Sequence, residues 1–288
     1  MIFIDKTTIH SKESKKRLDD WEIAFRYKGE SLAQLYGKQG QTGGNLWKIF
    51  GKKASAIKER LRTDLSIEQA KICCYCGQQL IEKKNNETAT RIEHFLSKAK
   101  DFSNTLFNYD NLLLSCDGDL ESMFSTTVQY YAGILETKEE LANRVGVTLE
   151  IIEEYNPNKK VEAGKKFFYG RDHCDPYKGD KEEPIINPTI YNSCWEYFKV
   201  NNQGHIFVND NIQDESIKTL TLNSINVLNL KAEELRKKRK EAWDSFAKTW
   251  IDDFSQQIDI DTYLSIQLKL KQPFCFVNYH FIQNLMGV

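Results

Sequence analysis

The chain has 288 residues, 40% of them hydrophobic and 28% charged, with a formal net charge of −1. That is enough chain for a substantial core and an ordinary composition for a globular protein. The mean hydropathy of −0.56, with no apolar run near the roughly 20 residues of a membrane helix, argues against a membrane-spanning protein. The charge excludes a globally basic nucleic-acid binder, so affinity for a polyanion must come from local patches or from a partner.

The N-terminal stretch MIFIDKTTIHSKESKK puts apolar residues before charged ones and offers no small-residue cleavage site. A signal peptide has the opposite order, so a cytoplasmic protein is expected. From about 11 to 62 the pattern is helical, with Trp21, Phe25 and Leu32, then Leu46, Ile49, Phe50 and Ile57, near helical spacing. The run Gly37 to Gly44 (GKQGQTGG) is a loop between helices, because a phosphate-cradling loop needs a preceding strand and a GK[ST] ending. Ser66 followed by Gln69 reads as a capping box opening a short helix toward the cysteines.

From Thr88 the stretch TATRIEHF alternates apolar and polar residues and predicts a strand ending at Glu93-His94. Asn111 to Cys116 (NLLLSC) reads as a second, buried strand. Residues from about 119 to 170 are polar and mostly helical, the pattern of an insertion. Within them, Thr137 to Tyr155 superficially resembles a helix-turn-helix, but Glu150, Glu153 and Glu154 make its second helix acidic and ill-suited to DNA. Tyr197 to Val208 predicts a hairpin around Gln203-Gly204, followed by a charged helix from about Lys231 to Phe254 and an apolar tail. The stripe Leu235 to Lys240 (LRKKRK) fits a phosphate-tracking face or, flanked by Glu233, Glu234 and Glu241, an ordinary solvated one.

Seven cysteines, three of them crowded at Cys73, Cys74 and Cys76, point to metal or redox chemistry rather than a disulfide scaffold. Cys73 and Cys76 have C-x2-C spacing, whose turn lets two thiolates reach one tetrahedral zinc ion. Cys116 and Cys174 are the best candidates for the other two ligands, with Cys74 pointing elsewhere. A thioredoxin-like redox pair expects a βαβ context that the sequence lacks; isolated buried thiols are the other alternative. Glu93-His94 at a strand end projects one side chain toward a metal and the other toward a water. His10, His205 and His280 have no motif around them and are read as structural.

In this order, Cys73/Cys76, Glu93-His94, Asn111 to Cys116 and Cys174-Asp175-Pro176-Tyr177-Lys178 resemble the HNH (ββα-metal) endonucleases that carry a zinc knuckle. The wide gap between Cys116 and Cys174 departs from most of that family. Together with Cys116-Asp-Gly-Asp119 and His173-Cys174, it is similar to the HNH subunits of Septu defence systems and certain retrons (PtuB-like). The resemblance covers roughly residues 60 to 240. It implies an α+β fold, a zinc-stapled ββα-metal core embedded in a mostly helical protein. The implied parts are a helical segment over 1–70, a core split between 71–118 and 171–190 by a helical insertion over 119–170, and a helix-rich part over 191–288.

The implied activity is metal-dependent hydrolysis of phosphodiester bonds, DNA favoured over RNA. Neutral His94 acts as general base. Glu93 and Asp175 hold a catalytic Mg2+ or Mn2+, with His173 in reserve as a zinc or magnesium ligand. Asn111 is a scaffold for the loop that holds His94. Lys178 contacts phosphate as a point charge or is an ordinary solvated lysine. Zn2+ is structural, on Cys73, Cys76, Cys116 and Cys174. The resemblance further implies a prokaryotic antiviral setting and an ABC/SMC-like (PtuA-like) ATPase partner, with a retron reverse transcriptase and its RNA/DNA hybrid as a further partner. An RNA-cleaving enzyme, for example on tRNA, and a catalytically silent zinc-binding adaptor are the competing readings.

Overall fold

The computed structural model describes residues 1, 3–80, 90–98, 102–118, 137–139, 173–179, 181, 183–254 and 273–286. These form an α+β arrangement in which helices surround three two-stranded antiparallel sheets. The helix-turn-helix-like stretch and the rest of the 119–170 insertion lie outside the described residues, apart from Thr137 to Glu139.

Four helices build the N-terminal part: α1 (Ile9–Ala24), α2 (Leu32–Tyr36), α3 (Gly43–Lys53) and α4 (Ser55–Glu68). Their starts are written in the sequence. Thr8, Ser31 and Thr42 each accept a backbone N–H of the first turn on a side-chain oxygen, which satisfies donors that a helix end leaves orphaned. A ribbon of β1 (Arg26–Tyr27) and β2 (Glu30–Ser31) separates α1 from α2; helical periodicity did not reveal it. The glycine-rich loop is shorter than expected, because Gly43 and Gly44 already belong to α3.

Buried Asp64 of α4 ties that helix to α1 through Arg17, at 3.0 Å, and pairs within α4 with Arg60, at 3.1 Å. Trp21, Phe50, Trp47 and Phe107 form an aromatic knot, with Trp21–Phe50 centroids at 4.5 Å and Trp21–Phe107 at 5.0 Å. Tilted and edge-on pairs of this kind contribute about 0.5–1.5 kcal/mol each beyond area burial. The knot fixes α1 and α3 against the segment leading into the central hairpin.

The expectation at Ser66 is corrected. Ser66 lies in the last turn of α4, and no helix opens there. The chain reverses through Ala70 and Lys71, both at positive φ, and Gln69 closes the edge of the next sheet instead of an N-terminal box. That sheet pairs β3 (Thr90–His94) with β4 (Leu112–Cys116), Thr90 opposite Cys116 and His94 opposite Leu112. Gln69 donates from Nε2 to the Leu114 and Ile72 carbonyls (2.8 and 2.9 Å) and accepts the Leu114 N–H at 2.7 Å. Cys74 N–H also reaches the Leu114 carbonyl at 3.1 Å, so the outer edge of β4 is covered where an open edge would invite mispairing.

After β4 in chain order comes a one-turn helix, α6 (Asp175–Lys178), with α5 (Phe102–Thr105) in the loop between the strands. The C-terminal part has the expected hairpin, β5 (Phe198–Val200) with β6 (Ile206–Val208), then α7 (Glu215–Val227), α8 (Glu233–Phe254) and α9 (Cys275–Met286). The hairpin turn packs directly on α8. A Cβ on Gly204, whose φ is +76°, would stand 2.2 Å from the Arg236 carbonyl. Among the described residues no helix is long and apolar enough to cross a membrane.

Candidate functional site

Three separate stretches of chain bring four sulfurs together. The Cys73-x2-Cys76 turn closes with Gly77 N–H on the Cys73 carbonyl (3.2 Å), Cys116 ends β4, and Cys174 precedes α6. The four Sγ atoms are buried and lie within 4.8 Å of one another. Cys73–Cys174 is 3.8 Å and Cys76–Cys116 is 3.9 Å. A zinc–sulfur bond of about 2.3 Å sets the edge of a tetrahedron at about 3.8 Å, so the four residues fit a tetrahedral thiolate-bound ion such as zinc. Cys174 sits at φ +61°, a conformation that costs a non-glycine residue about 1–3 kcal/mol; its N–H on the Leu228 carbonyl, at 2.8 Å, helps to hold it.

Burial pushes thiols up, and Cys116 and Cys174 are raised well above the ordinary range. Cys73, despite the same burial, is held well below it by the neighbouring sulfurs that bond to it. The Cys116 N–H also points at Cys73 Sγ, at 3.4 Å. His173 is fully buried with Nε2 3.4 Å from Cys116 Sγ. It therefore stands beside the four cysteines that lie within reach of one ion, and is not one of that group. Arg239, 1% exposed, donates to the Gly204 and Leu230 carbonyls at 2.8 and 2.9 Å. Burial lowers its pKa to about 10 against the pull of Cys76 and Cys174. A buried guanidinium needs its donors satisfied, and the Gly204 and Leu230 carbonyls take two of them. The sequence hid this role, because Arg239 lies inside the stripe Leu235 to Lys240. The rest of that stripe is engaged by neighbours: Arg236 with Glu233, Lys237 with Glu234, Lys240 with Asp244, and Lys238 with Gln78.

On the far side of the hairpin, Glu93 and His94 point to opposite faces. Buried Glu93 accepts from Tyr75 Oη at 2.8 Å and from Lys178 Nζ, both on Oε1. Asp175 is its carboxylate neighbour. Burial and the Asp175 carboxylate push Glu93 well above the carboxylate range, against Lys178. For Asp175 burial works the other way from the net result: the hydrogen bond with Glu93 and the charges of Arg91, Lys178 and Lys98 hold it low. The two carboxyls are thus pushed apart in acidity, and a pair of neighbouring carboxyl groups is a donor set that a hard divalent cation suits.

His94 is 3% exposed. Nε2 lies 3.0 Å from the Leu106 carbonyl, the Trp47 ring meets the imidazole edge-on at 4.6 Å, and Nδ1 has no hydrogen-bond partner among the described residues. Burial, reinforced by Lys98, lowers its pKa to about 3. The ring is neutral, its proton goes to Nε2, and Nδ1 carries the lone pair. Asn111 braces the loop after β3, accepting the Leu96 N–H at 2.7 Å and donating to the Leu96 and Thr105 carbonyls at 3.1 and 2.9 Å.

Lys178 corrects both readings offered from sequence. It is 5% exposed, and its ammonium donates to Glu93 and to the His94 and Phe95 carbonyls at 3.2 and 3.0 Å. It is a buried clamp between α6 and the end of β3, with no donor turned outward to a phosphate. Tyr75, Trp47 and the Leu106 carbonyl are members of the site that the sequence reading missed. Tyr75 lay within the C-x2-C motif itself, and Trp47 stands beside Leu46 on a helix that the sequence reading did not connect to His94. No protein-family model matches the chain, and no curated protein is significantly similar to it.

Proposed function

We propose that this chain is a metal-dependent phosphodiesterase of the ββα-metal (HNH) kind, a nuclease whose base is His94. The observation that carries the reading is the neutral imidazole with Nε2 tied to a backbone carbonyl and Nδ1 unpartnered, at the strand end that also presents the Glu93–Asp175 pair. A strand pair and a short helix, stapled by four sulfurs, bring these groups to one place. His94 Nδ1 takes a proton from water as the water oxygen bonds to phosphorus and the phosphorus–oxygen bond to the leaving group breaks. Glu93 and Asp175 hold a magnesium or manganese ion, which neutralises charge on the phosphate when bound. Lys178 and Tyr75 orient Glu93, and Asn111 keeps the loop at Leu96 in register with the strand end.

DNA as substrate, an ABC/SMC-like ATPase as partner and antiviral defence as setting belong to the same proposal. The net charge of −1 fits an enzyme that borrows affinity from such a partner. One observation favours a second reading, the zinc-binding adaptor: the Lys178 ammonium on Glu93 already neutralises a carboxylate that a catalytic ion needs. Incubating the zinc-loaded chain with labelled DNA and RNA, with magnesium or manganese, separates the two. The nuclease reading expects cleavage that Asp175→Ala abolishes while the fold and zinc content persist. Full activity in Asp175→Ala would remove that residue from the ion site, and cleavage of RNA alone would replace DNA as substrate.

A further inference from the structure

We propose that Lys58, seated over the Trp47 ring that meets His94, forms with Arg62 and Lys98 a subsite for the phosphodiester backbone of a polynucleotide. The proposal rests on the nuclease reading for its choice of anion. Lys58 Nζ lies 5.0 Å from the centre of the Trp47 ring, and the same indole, packed also on Phe50 and Phe107, meets His94 at 4.6 Å between ring centres. A single indole therefore separates an ammonium from the imidazole. Arg62, one turn further along α4, is anchored by Nη1 on the carbonyl and hydroxyl of Thr90, the first residue of β3. Its Nε has no hydrogen-bond acceptor, and Glu59 is 3.6 Å away and largely exposed. Lys98 lies four positions past His94 in the loop that Asn111 braces.

These cations crowd one another. Lys58 is held below the usual lysine range by burial and then by the charges of Arg62 and Lys98, only partly offset by Glu59. Lys98 also works against protonation of His94. Among the described residues, neither Lys58 nor Lys98 has a carboxylate within ion-pair distance, whereas the lysines of the α8 stripe have partners. A group of like charges is unfavourable unless an anion joins it. A phosphodiester presented to His94 brings neighbouring phosphates with it, and the cations beyond the indole stand where a flanking one would be neutralised. Mononucleotides and inorganic phosphate lack that neighbour, so the subsite selects polymers.

Fluorescence anisotropy of a labelled DNA duplex, with calcium in place of magnesium to prevent turnover, tests the proposal on the full zinc-loaded chain. In Lys58→Gln/Lys98→Gln the affinity should fall about tenfold at low salt, and the slope of log K against log salt should shrink by about one for each lysine removed. Lys237→Gln/Lys240→Gln, which removes an equal charge from the α8 stripe, should leave both unchanged. Lys58→Arg should restore binding if Lys58→Gln perturbs the fold. Unchanged affinity and slope in the double variant, or no binding by the wild-type chain, would overturn the subsite. A chain that binds with this slope and never cleaves keeps the subsite and loses the nuclease. A chain that cleaves DNA with the same KM in the double variant keeps the nuclease and loses the subsite.

Discussion

At the end of β3 the His94 imidazole is enclosed by the Trp47 indole and the Leu106 carbonyl, and burial takes its pKa from 6.5 to about 3. The folded-state pKa is depressed, so between about 6.5 and 3 the unfolded chain binds the extra proton. The stability that the neutral ring contributes is present above 6.5 and lost as pH falls toward 3. Nitrogen-15 NMR of the histidine side chains should show His94 neutral, with hydrogen on Nε2, across the physiological range. A titration midpoint near 6.5 would remove the enclosure from the account. His94, Glu93 and Asp175 were legible because adjacent residues in a motif carry their own chemistry. Tyr75 and the burial of Lys178 were not, because what a lysine or tyrosine faces depends on segments distant in sequence. Lys178 and Glu93 are 85 positions apart.

Among the elements, the β3–β4 hairpin was the most legible. Alternation in TRIEH and the apolar run LLLSC specify strands by period and β-branched or aliphatic content. What seals the hairpin was illegible. Ser66 and Gln69 have the spacing of a capping box, yet a helix was already running through Ser66, and the amide of Gln69 is instead a substitute strand for Leu114. Removing it leaves buried backbone groups without partners, each costing about 1–3 kcal/mol. Gln69→Met should therefore lower stability by about 2–4 kcal/mol in urea denaturation while the overall helix content persists. A loss below about 0.5 kcal/mol, the scale of a surface substitution, would show that water replaces the amide.

Across the whole molecule, the four sulfurs hold the Cys73–Cys76 turn, the end of β4 and the start of α6, and Arg239 couples α8 to the β5–β6 turn and to Leu230. The sequence made the first pair of cysteines legible by spacing and the second pair by the strand and turn beside them. The N-terminal helices packing Trp47 onto His94 were not legible, since periodicity identifies a core face without naming what covers it. Elemental analysis should find one zinc per chain. Binding free energy of such an ion is folding free energy, so chelation or Cys73→Ser should abolish the cooperative thermal transition. A chelated chain that keeps its transition would remove the metal from the fold.

The central claim is that His94 is the base of a metal-dependent hydrolysis. The direct measurement compares wild type and His94→Ala, both zinc-loaded, for the initial rate of nucleic-acid cleavage with and without magnesium. The account predicts magnesium-dependent cleavage by wild type and a loss of at least about 10²-fold, the scale of a missing general base, in a variant of unchanged zinc content. Cleavage by His94→Ala near the wild-type rate, or cleavage indifferent to the divalent ion, would contradict it.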